Sequence, residues 1–502
     1  MKHVNSSTNM GEAPLPKGWA YTQIKDICGL INGRTFKSSE WSSRGLPIVR
    51  IQNLNDPNID FNYCEFSVDE KFVIDNDQLL FAWSGTPETS FGAHLWNRGK
   101  AVLNQHIFRV EIREDCLVKK FMLHLFNHNL SEYIRKAHGT AGLAHITKDH
   151  FENSITSIPP FNEQQRIVAK VEELFSKLDA GIKSLQTVRA QLKRYRQSVL
   201  KSAFDGNLTE EWRRTHREKL EPASKLLEHI KEERASTTGK QKENQPLDTS
   251  SLPELPEGWV WTRIGDIAES MKNGIYKPRQ FYGENGTACL RMYNIEDGSI
   301  VWKNIRRMNL TQDEIREYEL RPGDILVNRV NSRELVGKAA PITERMETSV
   351  FESKNIRLRL RKDYVVPNFV SSWFRIFRQQ YFNRHAQQVV GMASINQDQV
   401  GSMPIPLASF PEQQIIADEI EHRLSIAEEV EKAVINSSRQ AEKLRQSILK
   451  RAFEGKLVPQ DPSDERASVL LERIEALKTQ VAQSENARNG RKQEDPKQRR
   501  PV

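Results

Sequence analysis

Asp324 and the run Glu352-Ser353-Lys354 are the residues of this chain whose types could hydrolyse a phosphodiester. Two carboxylates and a lysine on neighbouring strands are the arrangement with which many nucleases hold a divalent cation and activate water. The aligned positions of the first half of the chain, Asn104-Gln105-His106, lack this trio. Such a trio arises easily by chance. A stand-alone metal-dependent nuclease that uses Asp324, Glu352 and Lys354 is therefore only the alternative interpretation.

Other enzymatic signatures are incomplete. Pro159-Pro160-Phe161 has the form of an amino-methyltransferase motif, but the preceding position, where a polar side chain must accept hydrogen bonds from the target amine, is Ile158. His124 and His128 lie one helical turn apart without the HExxH pattern, so a packed or exposed pair is the better interpretation. The chain also lacks a GxxxxGK[ST] loop for a triphosphate. We therefore expect no catalytic, cofactor-binding or metal-binding residues.

Polar loops that recur in both halves are better candidates for function. Arg329-Val330-Asn331-Ser332-Arg333 follows a predicted strand and precedes Val336-Gly337-Lys338, and its counterpart in the first half is Ser84-Gly85-Thr86. Arginine can form two hydrogen bonds with guanine, and asparagine can form two with adenine, in the major groove of DNA. A loop at the end of a rigid strand can present such side chains. These loops indicate nucleic-acid binding.

Two further features favour the same interpretation. Gly33-Arg34-Thr35-Phe36-Lys37 and Asn273-Gly274-Ile275-Tyr276-Lys277 are a matching pair of basic segments that carry an aromatic residue. Arg357, Arg359 and Arg361 alternate along a predicted strand, so they share one face, and such a stripe is suited to phosphates. For any single residue, a solvated turn or a salt-bridged surface charge is an equally good explanation. As a set, the predicted DNA-binding residues are Arg34, Lys37, Ser84, Thr86, Tyr276, Lys277, Arg329, Asn331, Ser332, Arg333, Arg357 and Arg359.

These loops belong to a chain that is built twice. Glu163-Gln164-Gln165 recurs as Glu412-Gln413-Gln414, an offset of 249 positions (412 − 163). Leu15-Pro16-Lys17-Gly18-Trp19 recurs as Leu255-Pro256-Glu257-Gly258-Trp259 at an offset of 240 positions (255 − 15). The offset is constant only in the last part of each repeat. Each half is therefore a variable domain followed by a copy of one element of fixed length.

The element of fixed length is predicted to be a long helix. Apolar residues recur with a period near 3.6 from Ile167 to Val199 and again from Ile416 to Ile448, a rhythm between a coiled-coil seam and a plain helical stripe. Gly206 and Gly455 are suited to end these helices. Because most helical stability comes from burying one face, we expect the two copies to pack against each other. The alternative is that each helix packs only on its own domain.

The variable parts are typical of mixed α and β structure. Strands are predicted at residues 46–51, 78–83 and 107–112 and again near 288–292, 324–330 and 355–360, with helices at 121–134 and near 369–382. The shared order predicts one fold with two different surfaces. The predicted boundaries are 1–14 (flexible N-terminus), 15–160 (first variable domain), 161–206 (central long helix), 207–252 (charged helical segment and linker), 253–409 (second variable domain), 410–455 (distal long helix) and 456–502 (short helical segment and disordered basic tail from about Ser484).

Composition restricts the class of protein. Of the 502 residues, 37% are hydrophobic and 28% are charged, so much of the chain should be elongated or solvated. The net charge of +8 favours a polyanionic partner. No apolar run approaches the ~18 residues needed to cross a bilayer, and the N-terminus lacks a signal-peptide core, so we expect a cytoplasmic protein. The four cysteines are scattered and predict neither a zinc site nor disulfides.

The order of the motifs resembles that of the specificity subunits of type I restriction-modification enzymes. The shared pattern is a variable domain, a helix that begins with Glu-Gln-Gln, the runs Gln-Ser-(Val/Ile)-Leu-Lys and Ala-Phe-(Asp/Glu)-Gly-x-Leu, and then all of these again. The pattern covers nearly the whole chain. The loop that contains Arg329, Asn331 and Ser332 also resembles the second-domain loop of the family.

The resemblance implies an α+β fold, in which two similar mixed α/β target-recognition domains are separated by two long antiparallel coiled-coil-like helices in a pseudo-twofold tandem repeat. Each domain would read one half of a bipartite, asymmetric site on double-stranded DNA, and the helices would set the length of the unread spacer. The chain itself would be non-catalytic and hold no cofactor. It would recruit two methyltransferase subunits, which use S-adenosylmethionine to methylate adenine, and two restriction or translocase subunits, which use ATP and Mg. No membrane partner is implied.

Overall fold

The structure is a computed structural model that describes residues 15–56, 58–85, 90–136, 144–238, 246–343, 347–389 and 391–493. The predicted flexible N-terminus, residues 1–14, lies outside the described residues. The chain divides into two compact units. The first unit contains the residues up to Leu185 and those from Asn436 onward, and the second unit runs from Gln186 to Ile435. Each unit therefore holds one recognition domain, the beginning of one long helix and the end of the other.

Both halves contain helices as well as strands. In the first half the helices are α1 (Ile24–Ile27), α2 (Ile51–Asn55), α3 (Lys119–His128), α4 (Leu130–Lys136), α5 (Lys148–Glu152) and α6 (Phe161–Phe204). The strands are β1 (Ala20–Gln23), β2 (Cys28–Asn32), β3 (Leu46–Val49), β4 (Asn62–Cys64), β5 (Val73–Ile74), β6 (Gln78–Ala82), β7 (Ser84–Gly85), β8 (Gly92–Trp96), β9 (Ala101–Leu103), β10 (Ile107–Ile112), β11 (Ala144–His145) and β12 (Ile155–Ile158).

The second half repeats this order. Its helices are α7 (Glu210–His216), α8 (Ala223–Thr238), α9 (Ile264–Ile267), α10 (Gln312–Tyr318), α11 (Pro367–His385), α12 (Gln397–Gly401), α13 (Phe410–Phe453) and α14 (Ala467–Gln493). Its strands are β13 (Val260–Arg263), β14 (Ala268–Asn273), β15 (Tyr282–Gly283), β16 (Thr287–Leu290), β17 (Ile295–Glu296), β18 (Ser299–Ile300), β19 (Arg306–Met308), β20 (Ile325–Asn328), β21 (Val330–Asn331), β22 (Ala339–Pro341), β23 (Ser349–Phe351), β24 (Asn355–Leu360), β25 (Gln387–Val389), β26 (Met392–Ser394) and β27 (Pro404–Leu407).

The first recognition domain is built on an antiparallel sheet in the order β2-β10-β6-β8. The alternation of Phe108, Val110 and Ile112 sends one face of β10 into the core. There Phe81 stacks on Phe151 with ring centroids 4.1 Å apart. A second sheet, in the order β4-β3-β9-β5, contains one parallel pair, β3 with β9.

The second recognition domain has the corresponding sheet in the order β14-β24-β20-β22. Its second sheet, in the order β15-β19-β16-β23, again contains one parallel pair, β16 with β23. The matched orders confirm the predicted tandem repeat of one mixed α/β fold.

The two long helices, α6 and α13, are each 44 residues long, about 66 Å at 1.5 Å per residue. In the first unit, the start of α6 shares an apolar core with the end of α13 through Ile167, Val171, Ile448 and Ala452. In the second unit, the end of α6 shares a core with the start of α13. The segments therefore run antiparallel within each unit. Mutual packing of the helices is confirmed, and each helix also contacts a recognition domain at both of its ends.

A buried joint attaches the start of each long helix to its own domain. In the first unit, the indole Nε1 of Trp19 donates to Glu163 at 3.1 Å, and the backbone N–H of Val118 donates to Gln164 at 2.9 Å. In the second unit, Trp259 donates to Glu412 at 2.9 Å, and Val366 donates to Gln413 at 3.0 Å. The repeated Leu-Pro-x-Gly-Trp and Glu-Gln-Gln motifs therefore bond to each other. The sequence signal for this bond is the joint recurrence of the two motifs, which by itself indicates only a duplication.

Both long helices end two residues before the predicted glycines. Gly206 and Gly455 have φ angles of +76° and +67°, which disfavour a side chain. The segments that follow dock on a domain of the same unit. Leu226 of α8 belongs to the core of the second unit, and Leu470 of α14 belongs to the core of the first. The start of each segment thus completes a recognition domain.

Three sequence predictions need correction. Ala235, where a flexible linker was predicted to begin, is still within α8, which ends at Thr238. Ser484, where a disordered tail was predicted to begin, is within α14, which ends at Gln493. The amphipathic helix predicted over residues 121–134 is two helices, α3 and α4, with Asn129 between them. Within the described residues, no helix is long and apolar enough to cross a membrane.

Candidate nucleic-acid interface

The candidate reading loop of the second domain, residues 329–338, leaves the end of β20 and returns to β22. Its root is Asn328, which is fully buried and donates to the carbonyls of Val330 (3.3 Å) and Lys354 (3.1 Å). The backbone N–H of Arg329 also donates to the carbonyl of Lys354 at 2.8 Å. The loop is therefore fixed to the strand end before any ligand binds.

Two of the predicted base-reading side chains form hydrogen bonds with residues next to this loop. The guanidinium of Arg329 donates to the carbonyls of Ile395 and Ser353 at 3.3 and 3.4 Å. The side-chain amide of Asn331 donates to Asn328 Oδ1 at 2.9 Å. Their role in shaping the loop is visible, whereas contact with bases stays a prediction.

The outer part of the loop carries Ser332 and Arg333. The carbonyl of Ser332 accepts from the N–H groups of Leu335 and Val336, both at 3.0 Å, which closes a tight turn. Arg333 is exposed, and its Nε donates to Asn383 of α11 at the long distance of 3.4 Å. Of the residues predicted in this loop, Arg333 is the one most available to a ligand.

Gly337 and Arg378 hold the loop against helix α11. Gly337 has a φ of +77°, and a Cβ at this position would overlap the ring of Phe382. Arg378 donates to the carbonyls of Glu334 (2.8 Å) and Val336 (3.2 Å). Sequence reasoning singled out Gly337 only as part of the loop motif and missed Arg378, because nothing in its local sequence indicates that it caps a loop more than forty positions earlier.

Tyr276 and Lys277 lie on a segment that crosses the end of β23. The N–H of Ile275 donates to the carbonyl of Phe351 at 2.9 Å, and this places the next residue outward. Tyr276 is 79% exposed, the most exposed large hydrophobic residue described. Lys277 is paired with Glu314 at 2.5 Å and lies 4.7 Å from the ring of Phe281. An exposed aromatic face suits stacking or sugar contacts, whereas the charge of Lys277 is already balanced.

The matching segment of the first domain contains Arg34 and Lys37. Arg34 is paired with Glu40 at 2.5 Å and lies over the rings of Phe36 (4.8 Å) and Phe66 (4.7 Å). The N–H of Lys37 donates to the same carboxylate at 2.7 Å. This hydrogen bond, and to a smaller extent the one from Arg34, lowers the pKa of Glu40. The Arg34 side chain therefore holds the segment together from within, whereas the Lys37 side chain is exposed.

Ser84 opens the loop of the first domain that corresponds to the reading loop. Ser84 is half-buried in β7 and pairs with His145 of β11. Thr86 lies outside the described residues. Beside Ser84, the ring of Trp83 lies 5.2 Å from His106 and 4.7 Å from His145, centroid to centroid. Burial, and then the neighbouring His145, lower the pKa of His106.

The two domains thus present different side chains on one backbone frame. The N–H of Trp83 donates to the carbonyl of His106 (3.2 Å), just as that of Arg329 donates to Lys354 (2.8 Å). The backbone carbonyl of Trp83 also accepts from the N–H of Ile146 at 3.0 Å, as the carbonyl of Arg329 accepts from the N–H of Ile395 at 2.9 Å. An aromatic and histidine-lined strand end in the first domain therefore corresponds to a cationic strand end in the second.

The comparison with protein families matches both halves of this frame. The family described as type I restriction modification DNA specificity domain matches residues 16–194 and again residues 256–437, well over half of the chain. The chain belongs to the type I restriction-modification specificity subunits. The two matches each contain one recognition domain and the first part of the long helix that follows it.

Named specificity subunits match over nearly their whole length. The specificity subunit of the type I restriction enzyme EcoBI from Escherichia coli is 25% identical over 474 residues, which cover 91% of this chain and 92% of the relative. The specificity subunit of EcoKI from Escherichia coli K12 is 25% identical over 489 residues, which cover 93% of this chain and 97% of the relative.

Solved structures support the same fold. A chain solved for work on complex assembly and conformational transition of the type I R-M system has a TM-score of 0.61 at 18% identity, covering 89% of this chain and 100% of that chain. The HsdS subunit from Thermoanaerobacter tengcongensis has a TM-score of 0.52 at 18% identity, covering 89% of this chain and 99% of that chain.

In this specificity subunit, the prediction that the arginines along β24 form a surface that faces phosphates is wrong. Arg359 forms a bidentate pair with the fully buried Asp324, with both distances 2.7 Å. Arg357 is 7% exposed and donates to the carbonyl of Glu319 at 2.9 Å. Arg361 is paired with Glu233 of α8 at 2.5 Å. The arginines lie on the face of the strand opposite Ile356 and Leu358, and there Asp324 and the carbonyl of Glu319 bind Arg359 and Arg357.

The nuclease alternative is not supported either. Because β20 and β24 are antiparallel, Asp324 lies beside Arg359 at one end of the pair of strands. At the other end, the backbone carbonyl of Lys354 accepts from the N–H of Arg329. Five residues of strand separate the two ends, about 17 Å. Glu352 accepts from the N–H of Met292 at 3.1 Å. No cluster of three or more potential metal ligands occurs among the described residues.

The two helical histidines pack on aromatic rings. His128 stacks on Phe453 at 4.9 Å, and His124 meets the edge of Phe175 at 5.7 Å. Burial lowers the pKa of both imidazoles. Each ring contributes to the contact between α3 and a long helix of the first unit, in line with the interpretation of a packed pair.

Proposed function

We propose that the two recognition domains of this specificity subunit read different halves of an asymmetric, bipartite site on double-stranded DNA. The observation that carries the proposal is the shared strand-end frame with unlike side chains. Trp83 and His106 stand in the first domain where Arg329 and Lys354 stand in the second. Since discrimination between bases depends on the donors and acceptors offered to the groove edge, unlike surfaces select unlike sequences.

The chain acts, in this proposal, as a non-catalytic scaffold in the cytoplasm. Two methyltransferase subunits would carry S-adenosylmethionine and methylate adenine, and two restriction subunits would use ATP and Mg to translocate and cleave DNA. The relatives are specificity subunits of type I restriction enzymes, and one structural neighbour comes from work on assembly of the type I R-M system, which supports this arrangement. The biological role would be defence against foreign DNA.

The long helices would set the length of the unread spacer. Their equal length of 44 residues and their constant register in the repeat support this part of the proposal. Four residues added to each helix lengthen it by about 6 Å. At 3.4 Å per base pair, we expect a spacer that is longer by about two base pairs, with unchanged half-sites.

The test is co-expression of this chain with its cognate methyltransferase subunit and sequencing of adenine methylation in a random DNA library. Methylation at one bipartite motif with a fixed gap is the expected result. The matched variants are His106→Ala and Lys354→Ala, which are expected to change only the first and only the second half-site, respectively. Methylation at a continuous motif, or changes in both half-sites with each variant, would overturn the proposal.

The same preparation tests the non-catalytic part. The isolated chain with Mg is expected to leave supercoiled DNA uncut. Lys354 is the informative position because its side chain is exposed, whereas substitution of Asp324 would also break its pair with Arg359. Cleavage by the isolated wild-type chain that disappears in Lys354→Ala would restore the nuclease interpretation.

A further inference from the structure

Three cationic side chains of the second domain gather beside the reading loop, residues 329–338. Lys338 ends the loop, and its ammonium donates to the carbonyl of Ile295 at 2.9 Å. Arg378 of α11 donates to two carbonyls of the loop. Arg375, one turn earlier on α11, extends over the turn at Gly298, where an added Cβ would lie 2.8 Å from its Nε. All three side chains face the same turn.

The positive charge of this cluster is only partly balanced. Asp297 faces all three cations, and Glu296 faces Lys338. Within the described residues, none of the three cations has a carboxylate within 4.0 Å. Arg196 also faces Arg375, but it is itself paired with Glu431 at 2.7 Å. Burial lowers the pKa of Lys338, Arg375 and Arg378, so the site holds charge that is poorly solvated.

The first domain supplies an internal comparison. Val118 and Val366 both donate to the glutamine of the helix joint, and this aligns Asn127 with Arg375. The side chain of Asn127 accepts from the N–H of Ala93 at 2.9 Å and donates to its carbonyl at 3.0 Å. The oxygen and one N–H of this neutral amide are therefore engaged within the first domain.

The position of Lys338 is also different in the first domain. The strand registers Phe81↔Ala93 and Val327↔Ala339 place Gly92 at the position of Lys338. A Cβ at Gly92 would lie 2.8 Å from Asn127 Oδ1, so the first domain is closed at this point. The fold does not require a cation at either position, and the charges belong to the second domain alone.

We propose that Arg375 binds a backbone phosphate of the DNA that flanks the half-site read by the second domain. Lys338 and Arg378 add positive charge beside it. This inference rests on the proposed function. Arginine without a carboxylate partner is suited to a phosphate because its fork can donate two parallel hydrogen bonds. A phosphate contact fixes the position of the protein on the duplex, while the adjacent loop reads the bases. The first domain has no equivalent contact.

The test compares Arg375→Asn, which copies the first domain, with Arg375→Lys, which keeps the charge. Each full-length chain is assembled with the methyltransferase subunit, and binding to a duplex with the identified site is measured from 50 to 300 mM salt. For Arg375→Asn we expect the slope of log K against log salt to become shallower by about 0.9 and the affinity to fall on the order of tenfold. Arg375→Lys should keep most of the slope. The methylated sequence should not change in either variant.

The matched control is Arg214→Asn, which removes an exposed arginine that is paired with Glu211 on α7. An Arg375→Asn slope equal to that of wild type, or a loss no greater than that of the control, would overturn the inference. Thermal unfolding of each variant, together with methylation through the first half-site, identifies a folding defect, and Arg375→Lys then decides the outcome.

Two other outcomes have distinct meanings. If the wild-type complex shows no sequence preference, the proposed function fails, and the inference fails with it. If inorganic phosphate stabilises the wild-type chain but not Arg375→Asn, and the DNA slope is the same in both, the cluster binds a small anion instead of DNA. That result would overturn the inference and leave the proposed function intact.

Discussion

The indole Nε1 of Trp259 lies 2.9 Å from Oε2 of Glu412, a carboxylate that is 1% exposed. The other oxygen of Glu412 accepts from Arg213 at 2.8 Å and from Thr209 at 2.7 Å. The duplicate joint, Trp19 with Glu163, keeps the indole bond, but no arginine among the described residues is bonded to its carboxylate. The chain therefore contains one joint in two electrostatic forms, a charge-paired form and an unpaired form.

Substitution of the two glutamates by glutamine should have unequal effects. Glu412→Gln leaves the largely buried Arg213 without its counter-ion, and we expect a loss of about 2 kcal/mol in the free energy of unfolding. Glu163→Gln keeps an acceptor for Trp19 and removes a buried charge, so we expect no loss or a small gain. Urea unfolding at pH 7 measures both. Equal losses would contradict this account of the joints.

The unpaired joint should also make stability depend on pH. Burial raises the pKa of Glu163 above its ordinary value. A carboxyl group with a raised pKa in the folded state stabilises the fold while it is protonated, and this contribution is lost as the pH rises from ~4.3 through the folded-state pKa. Glu163→Gln should therefore gain stability relative to wild type across that window and keep a constant advantage above it. Urea midpoints at pH values from 4 to 8 would show this, and a difference that does not vary with pH would refute it.

The helices that follow the long helices should stabilise different recognition domains. Leu470 of α14 is in the core of the first unit and Leu226 of α8 is in the core of the second, and both are at most 5% exposed. Each Leu→Ala change should cost about 3 kcal/mol. Leu470→Ala is expected to weaken protection of the first domain from proteolysis, and Leu226→Ala that of the second. Val469→Ala, at a position that is 41% exposed, is the control and should have little effect. Equal damage to both domains by Leu470→Ala would contradict the assignment.

The elements of the fold were predictable because they depend on local periodicity. The strand predicted at 107–112 is β10, and the helical rhythm from Ile167 and from Ile416 lies within α6 and α13. The candidate site was less predictable because partners come from distant parts of the chain. Alternation correctly placed Arg357 and Arg359 on one face, but it could not reveal that Glu319 and Asp324 cover that face. The same limit hid the bond from the guanidinium of Arg329 to the carbonyl of Ile395.

The reading loop should be sensitive to a single methyl group at Gly337. The φ of +77° disfavours any side chain, and an added Cβ would in addition overlap the ring of Phe382, so Gly337→Ala must displace either the loop or helix α11. Gly258→Ala is the matched control, because Gly258 has a similar φ of +85° but no atom within 4 Å of an added Cβ. We expect the control to cost about 1 kcal/mol from backbone strain and Gly337→Ala to cost at least about 2 kcal/mol more. In the methylation library, Gly337→Ala should lose or relax the second half-site and keep the first. Equal behaviour of the two alanine variants would mean that contact with α11 does not hold the loop in place.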